Sequence, residues 1–252
     1  MNGHSSLGEA LSAQAFEAAL VVTPPRLQAE CVAAILARRI PVLVEKPGAA
    51  SGSEARELVR AADGLPVRLA LSRRFWPSYE RWVGRLRDLP ERWDVSLHTN
   101  PDAWAPHDPD PEGGSAGLID DLLPHAFDLA SSILGQGDLR PAQAAGDGGE
   151  ITLIFTGPSA GVVTVGYATR WQERLSWQAG GAEQSVAPSG PSLRRLASGL
   201  APPLIASEPM IAIDRLLAGF ASDLDRSATN EDLVRCVGLL DETKKLLTQP
   251  AR

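Results

Sequence analysis

Two groups of residues in this chain have the types and spacing that acid/base chemistry needs. The first is Lys46, which follows the apolar run Pro41–Val44 and Glu45 and precedes Pro47. In an open parallel sheet, ligands sit beyond the carboxyl ends of the strands. An ammonium at such an end can project into the crevice as acid, base or hydrogen-bond donor. The alternative is a solvated lysine at a strand end. The second group is Asp121 and His125 in GLIDDLLPHAFDLASSIL. Residues i and i+4 share a helix face, and a carboxylate one turn from an imidazole can hold its tautomer and favour its charged form. Asp128, three residues past His125, is a second partner for the ring, and Pro124 predicts a kink by removing one backbone hydrogen bond. The plain alternative is an Asp–His surface pair. Trp104, in the Pro/Asp-rich loop NPDAWAPHDPDPEGG ahead of that helix, either packs or lines a substrate pocket.

Other site chemistries are excluded or left thin. His4, His98, His107 and His125 lack metal-ligand spacing, so no metal centre is expected, although the polar loop around His107, Asp108 and Asp110 has cation-binding residue types. No P-loop occurs.

The elements that position these residues change character along the chain. Ser5–Ala15 reads as a short capped helix. Ala18–Thr23, Pro41–Val44 and Val67–Leu71 are short apolar runs suited to strands buried on both sides, and Leu27–Arg39 and Ser53–Ala62 between them are helical. Strand–helix–strand–helix–strand implies right-handed crossovers and a parallel sheet. Beyond Ser72 comes a helix over Arg73–Leu86. Period-two segments at Asp94–Thr99, Glu150–Thr156, Gly161–Arg170 and Gln172–Gln178 then predict half-exposed antiparallel strands. A strong helix covers Leu118–Leu134, residues 142–149 and 188–209 read as loops, and two helices, Met210–Asp225 and Glu231–Thr248, close the chain. The expected fold class is α/β: a partial Rossmann-like parallel sheet in residues 1–72, then an α+β domain in 73–252 with an open, largely antiparallel sheet.

The 252 residues are 44% hydrophobic and 22% charged, with a formal net charge of −7. These fractions exclude disordered and fibrous classes, and the acidic balance argues against nucleic acid or an anionic membrane as partner. There is no run of about 18 apolar residues and no signal-peptide pattern at the N-terminus, so a soluble, cytoplasmic protein is expected. Cys31 and Cys236 each fall in an apolar helical pattern, as buried thiols do.

Three segments together resemble the glucose–fructose oxidoreductase / inositol dehydrogenase / MocA family (Gfo/Idh/MocA). ALVVTPPRLQAECVAAILARRIPVLVEKP is similar to its strand, T-P-P turn, helix, strand and E-K-P motif. ALSRRFWPSYERW resembles its R-R-F segment, and GGSAGLIDDLLPHAFDLASSILG its D-x-x-x-H helix. With a weaker likeness in the C-terminal helices, the resemblance covers almost the whole chain. It implies that Lys46, Asp121 and His125 share a catalytic site around a carbon that exchanges hydride with a nicotinamide. On the same resemblance Thr23, Pro24, Pro25 and Glu45 border the cofactor, NAD or NADP, and Arg74 contacts substrate or cofactor unless it is structural. The implied activity is oxidation or reduction at the carbinol or carbonyl of a sugar-like small molecule, in a homo-oligomer joined through the C-terminal sheet.

The chain also departs from the family pattern. No G-x-G-x-x-G turn lies upstream of Ala18, so the family's first two βα units lack a counterpart, and Gln28 stands where many members have histidine. This leaves open whether a dinucleotide still binds. The alternatives are a cofactor-independent acid/base enzyme (elimination, isomerisation or cyclisation) and a non-catalytic partner protein. A sheet without those units would bare its edge at Ala18–Thr23, so the short first helix or a second subunit is expected to cover it.

Overall fold

The computed structural model describes residues 3–83, 89–100, 115–134, 139–147, 149–187, 208–222 and 230–249. The chain forms two compact units, one of residues 1–71 with 218–241 and one of 72–217 with 242–252. Residues 218–241, assigned by the linear reading to the second domain, thus fold with the first.

The first unit is a three-stranded parallel sheet in the order β1 (Ala19–Val21), β2 (Val42–Val44), β3 (Val67–Leu69). Helix α1 (Leu7–Ala13) begins at Ser6, whose hydroxyl accepts the Glu9 N–H, and α3 (Gly52–Ala62) begins at Ser51, which caps Glu54 in the same way. Both serines satisfy an amide that the first turn leaves without a partner. Helix α2 (Pro25–Leu36) starts earlier than the sequence suggests, because Pro25 at its first position has no N–H to lose. Its inner stripe is Gln28, Val32, Ile35 and Leu36, whereas Ala33, Ala34 and Ala37 face outward and Cys31 is half-buried.

Central strand β2 is buried on both faces, each side chain contributing about 1.5–3 kcal/mol. Edge strand β1 is not. Val21 is buried, but Leu20 is 50% and Val22 66% exposed, which corrects the reading of Ala18–Thr23 as buried on both sides. Leu7 and Leu11 of α1 pack against the core of this unit. At the opposite edge Asn230, the first residue of α8 (Asn230–Thr248), accepts the Val67 N–H and donates to the Leu65 carbonyl.

The second unit carries a six-stranded sheet in the order β5-β6-β7-β4-β8-β9. Its strands are β4 (Arg92–Thr99), β5 (Pro141–Gly146), β6 (Glu150–Phe155), β7 (Ala160–Tyr167), β8 (Gln172–Ala179) and β9 (Ala182–Val186). Four pairings are antiparallel, but β4 runs parallel to β7, which the long crossover between them permits. One further correction and one additional element concern hairpins. Residues 142–146, read as part of the loop 142–149, belong to β5 and pair with β6. The Gly180-Gly181 turn, both residues with positive φ, folds β9 back on β8 as a two-residue hairpin turn demands. Trp93 of β4 lies over Gly161 of β7, where a Cβ would come within 1.9 Å of the indole.

The single helix expected over Arg73–Leu86 is divided. A 3-10 turn covers Ser72–Phe75 and α4 covers Pro77–Val83, because Pro77 cannot donate within a continuing helix. Leu118–Leu134 also divides, into α5 (Ser115–Asp121) and α6 (Leu123–Leu134). Pro124 supplies no N–H, yet the Leu122-to-Leu118 and Ala126-to-Leu122 hydrogen bonds keep the helical register on either side. Helix α7 covers Glu208–Ala221. Among the described residues, no helix is long and apolar enough to cross a membrane.

Candidate functional site

In the first unit the candidate residues gather at the carboxyl ends of β1 and β2. The ladder continues one step past β2, where the Glu45 N–H donates to the Val21 carbonyl at 2.9 Å. Thr23, Glu45 and Lys46 are half-buried, and Pro24 and Pro25 are exposed. The Lys46–Pro47 peptide is cis, and Gly48 follows with φ +85°. Tying these ends together is Gln28, 1% exposed. Its Nε2 donates to the carbonyls of Thr23 and Lys46, both at 3.2 Å, and its Oε1 accepts the Gly48 N–H at 2.8 Å. The one signal for it in the sequence is a polar residue on the apolar stripe of α2.

In the second unit Asp121 ends α5, exposed, and His125 is in the first turn of α6, 6% exposed. Their i, i+4 spacing spans the Pro124 break. Neighbouring Asp120 accepts from the Lys244 ammonium at 3.2 Å. Asp128, read as a second partner for His125, pairs with Arg74. The guanidinium Nε donates to Oδ2 at 3.1 Å and a terminal N–H to Oδ1, and the Asp128 side chain is only 2% exposed. Arg74, read as a substrate or cofactor contact unless structural, joins the 3-10 turn to α6 through this pair. Trp104 lies outside the described residues, as do His107, Asp108 and Asp110.

Beside Arg74, Arg73 enters a buried network that nothing in the sequence signalled. Glu173 of β8, with a fully buried side chain, accepts from Arg73 at 2.8 and 2.6 Å, from the Tyr79 hydroxyl at 2.7 Å and from the Trp171 indole at 3.0 Å. Trp76 stacks on Tyr79, and the Arg73 guanidinium lies 5.5 Å above the Trp76 ring. On β4 His98 is near Ser96 (3.3 Å) and Glu150 (3.1 Å). No cluster of metal-binding side chains occurs among the described residues.

Residues 2–72 match the family model described as "Oxidoreductase family, NAD-binding Rossmann fold" (Gfo/Idh/MocA). No curated protein matches. Among solved structures, GenD2 from gentamicin A biosynthesis, in complex with NAD, is 18% identical with a TM-score of 0.76, over 96% of this chain and 79% of GenD2. A probable dehydrogenase from Thermotoga maritima is 16% identical with a TM-score of 0.76, over 96% and 81%. A myo-inositol dehydrogenase from Corynebacterium glutamicum is 17% identical with a TM-score of 0.74, over 98% and 85%. At these identities the likeness is one of fold.

A dinucleotide pyrophosphate needs free amides where a helix follows a strand, approached over glycine. The starts of α2 and α3 do not offer this. Helix α2 opens on Pro24 and Pro25. At α3, Ser51 accepts the Glu54 N–H and Asp241 accepts the Gly52 N–H at 2.8 Å. Gly48 is closed by packing, since a Cβ there would come within 2.7 Å of Leu69 and 2.9 Å of Leu233. The starts of α2 and α3 and the Gly48 turn therefore do not fit the phosphates of a dinucleotide.

Proposed function

We propose, from the premise that residues 2–72 belong to the Gfo/Idh/MocA oxidoreductase family, that this chain acts on the carbinol or carbonyl of a sugar-like small molecule. In this reading His125 gives or takes the proton of the reacting oxygen, Asp121 orients the imidazole, and the Lys46 ammonium stabilises negative charge developing on that oxygen. The observation that carries the proposal is that the T-P-P and E-K-P strand ends, Lys46 among them, both lie within the matched segment and are locked by one buried side chain. The burial of His125 supports its role, because a sheltered imidazole exchanges protons with a bound substrate rather than with bulk water.

A second reading is favoured by the helix starts that do not fit pyrophosphate. In it the same residues perform proton transfer alone, as in an elimination or isomerisation. Titration with NAD(H) and NADP(H), followed by nicotinamide fluorescence, separates the two. The oxidoreductase reading expects saturable binding and polyol-dependent reduction of the nicotinamide. The second expects no binding, with deuterium exchange from heavy water into a polyhydroxylated carbonyl compound. Under either, His125→Ala or Lys46→Met lowers the rate by about 10²–10⁴-fold. Activity unchanged in both variants would refute the assignment.

A further inference from the structure

Gln28 does more than fill a core position. Its side chain can make at most four hydrogen bonds, two as donor and two as acceptor, and three are made, each to backbone. Two of them bracket Pro47: one holds the carbonyl of Lys46 and the other the N–H of Gly48. Together with the Glu45 N–H on the Val21 carbonyl, they fix the main chain on both sides of the Lys46 Cα. The third, to the Thr23 carbonyl, fastens the neighbouring strand end to the same amide. Past the last rung of the β-ladder the Lys46 carbonyl is thus held by a side chain eighteen residues upstream.

We infer that Gln28 is a positioning residue: its buried amide clamps the β1 and β2 ends to each other and sets the direction in which the Lys46 ammonium is presented. The inference rests on the reading that Lys46 is functional, but its consequences are measurable on the amine itself without substrate or turnover. The chemistry also separates replacements. Leucine has similar bulk and no polar group, so it leaves two carbonyls and one N–H without their partner. Histidine offers one donor and one acceptor and can restore part of the clamp.

The test uses the full chain. Lys46, Lys244 and Lys245 are its only lysines, so competitive acylation with trace reagent, read by mass spectrometry, reports each amine separately. Exposed Lys245 is the internal reference. Gln28→Leu is expected to change the Lys46 to Lys245 labelling ratio by at least about fivefold, the factor that corresponds to one hydrogen bond's net contribution. Gln28→His should return it toward the wild-type value, with far-UV circular dichroism the same in all three proteins. A folded Gln28→Leu protein with an unchanged ratio overturns the inference. Should Gln28→Leu fail to fold, amide exchange of the wild-type protein decides. Protection of the Gly48 N–H and the Gln28 side-chain N–H supports the clamp, and exchange as fast as at an exposed amide overturns it. Loss of the enzymatic reading would appear as inactivity with the labelling result intact, so the two failures are distinguishable.

Discussion

Glu173 is the residue whose replacement most directly tests the buried architecture of the second unit. Its carboxylate has no exposure and accepts four hydrogen bonds, two of them from Arg73, whose own side chain is 12% exposed. Glu173→Gln keeps the shape. The amide oxygen can still face Arg73 and Trp171, and the amide nitrogen can donate to Tyr79 if that hydroxyl turns. Only the negative charge is lost, so the Tyr79 and Trp171 bonds become neutral ones at about 1 kcal/mol each, or about 2 kcal/mol in all, while Arg73 remains a charged donor. Glu173→Ala removes every acceptor and leaves a mostly buried guanidinium, a phenol and an indole without partners. Breaking a buried pair in this way costs about 3–5 kcal/mol. For a chain of this length each kcal/mol lowers the melting temperature by roughly 2–4 °C. The expected losses are therefore about 4–8 °C for the Gln variant and about 6–20 °C for the Ala variant. Thermal unfolding followed by tryptophan fluorescence is the assay, because Trp76 and Trp171 border the network. A Glu173→Ala protein that melts within about 2 °C of wild type, less than the effect of 1 kcal/mol, would refute the view that this network stabilises the unit.

Asp94 gives the opposite sign. Burial raises its carboxyl pKa above the ordinary carboxylate value, and Arg174 offsets only part of the shift. Because the folded pKa exceeds the unfolded one, the favourable contribution is fully present below the unfolded value and is lost as pH rises through the folded value. Asp94→Asn should therefore raise the melting temperature at neutral pH and lose that advantage on acidification toward the ordinary carboxylate pKa. A melting curve at neutral pH that is unchanged or lower would contradict it. Gly161→Ala should cost about 1–3 kcal/mol by driving a methyl group into the Trp93 indole, seen as a lower melting temperature and altered tryptophan emission. Wild-type emission and stability in this variant would show that the indole moves aside freely.

The parts of this protein legible in its residues are those governed by neighbours in sequence. Apolar runs of three or four residues alternating with helical stripes specify β1-α2-β2-α3-β3. The serines before α1 and α3 mark helix starts, and Pro124 marks the kink at which the Leu118–Leu134 helix divides. Lys46 at a strand end and His125 four residues from Asp121 were readable for the same reason, since both follow from local spacing. The tertiary structure decided what depends on distant pairing. Strands β4 and β7 run parallel, residues 142–146 join a sheet rather than a loop, and residues 218–241 fold with the first unit. It also decided that Asp128 holds Arg74, that Glu173 gathers Arg73, Tyr79 and Trp171, and that Gln28 clamps two strand ends. A polar side chain carries no record of its partner. Its burial is tolerated only when the fold brings a matching donor or acceptor from another element, and that condition is satisfied in three dimensions, not along the chain.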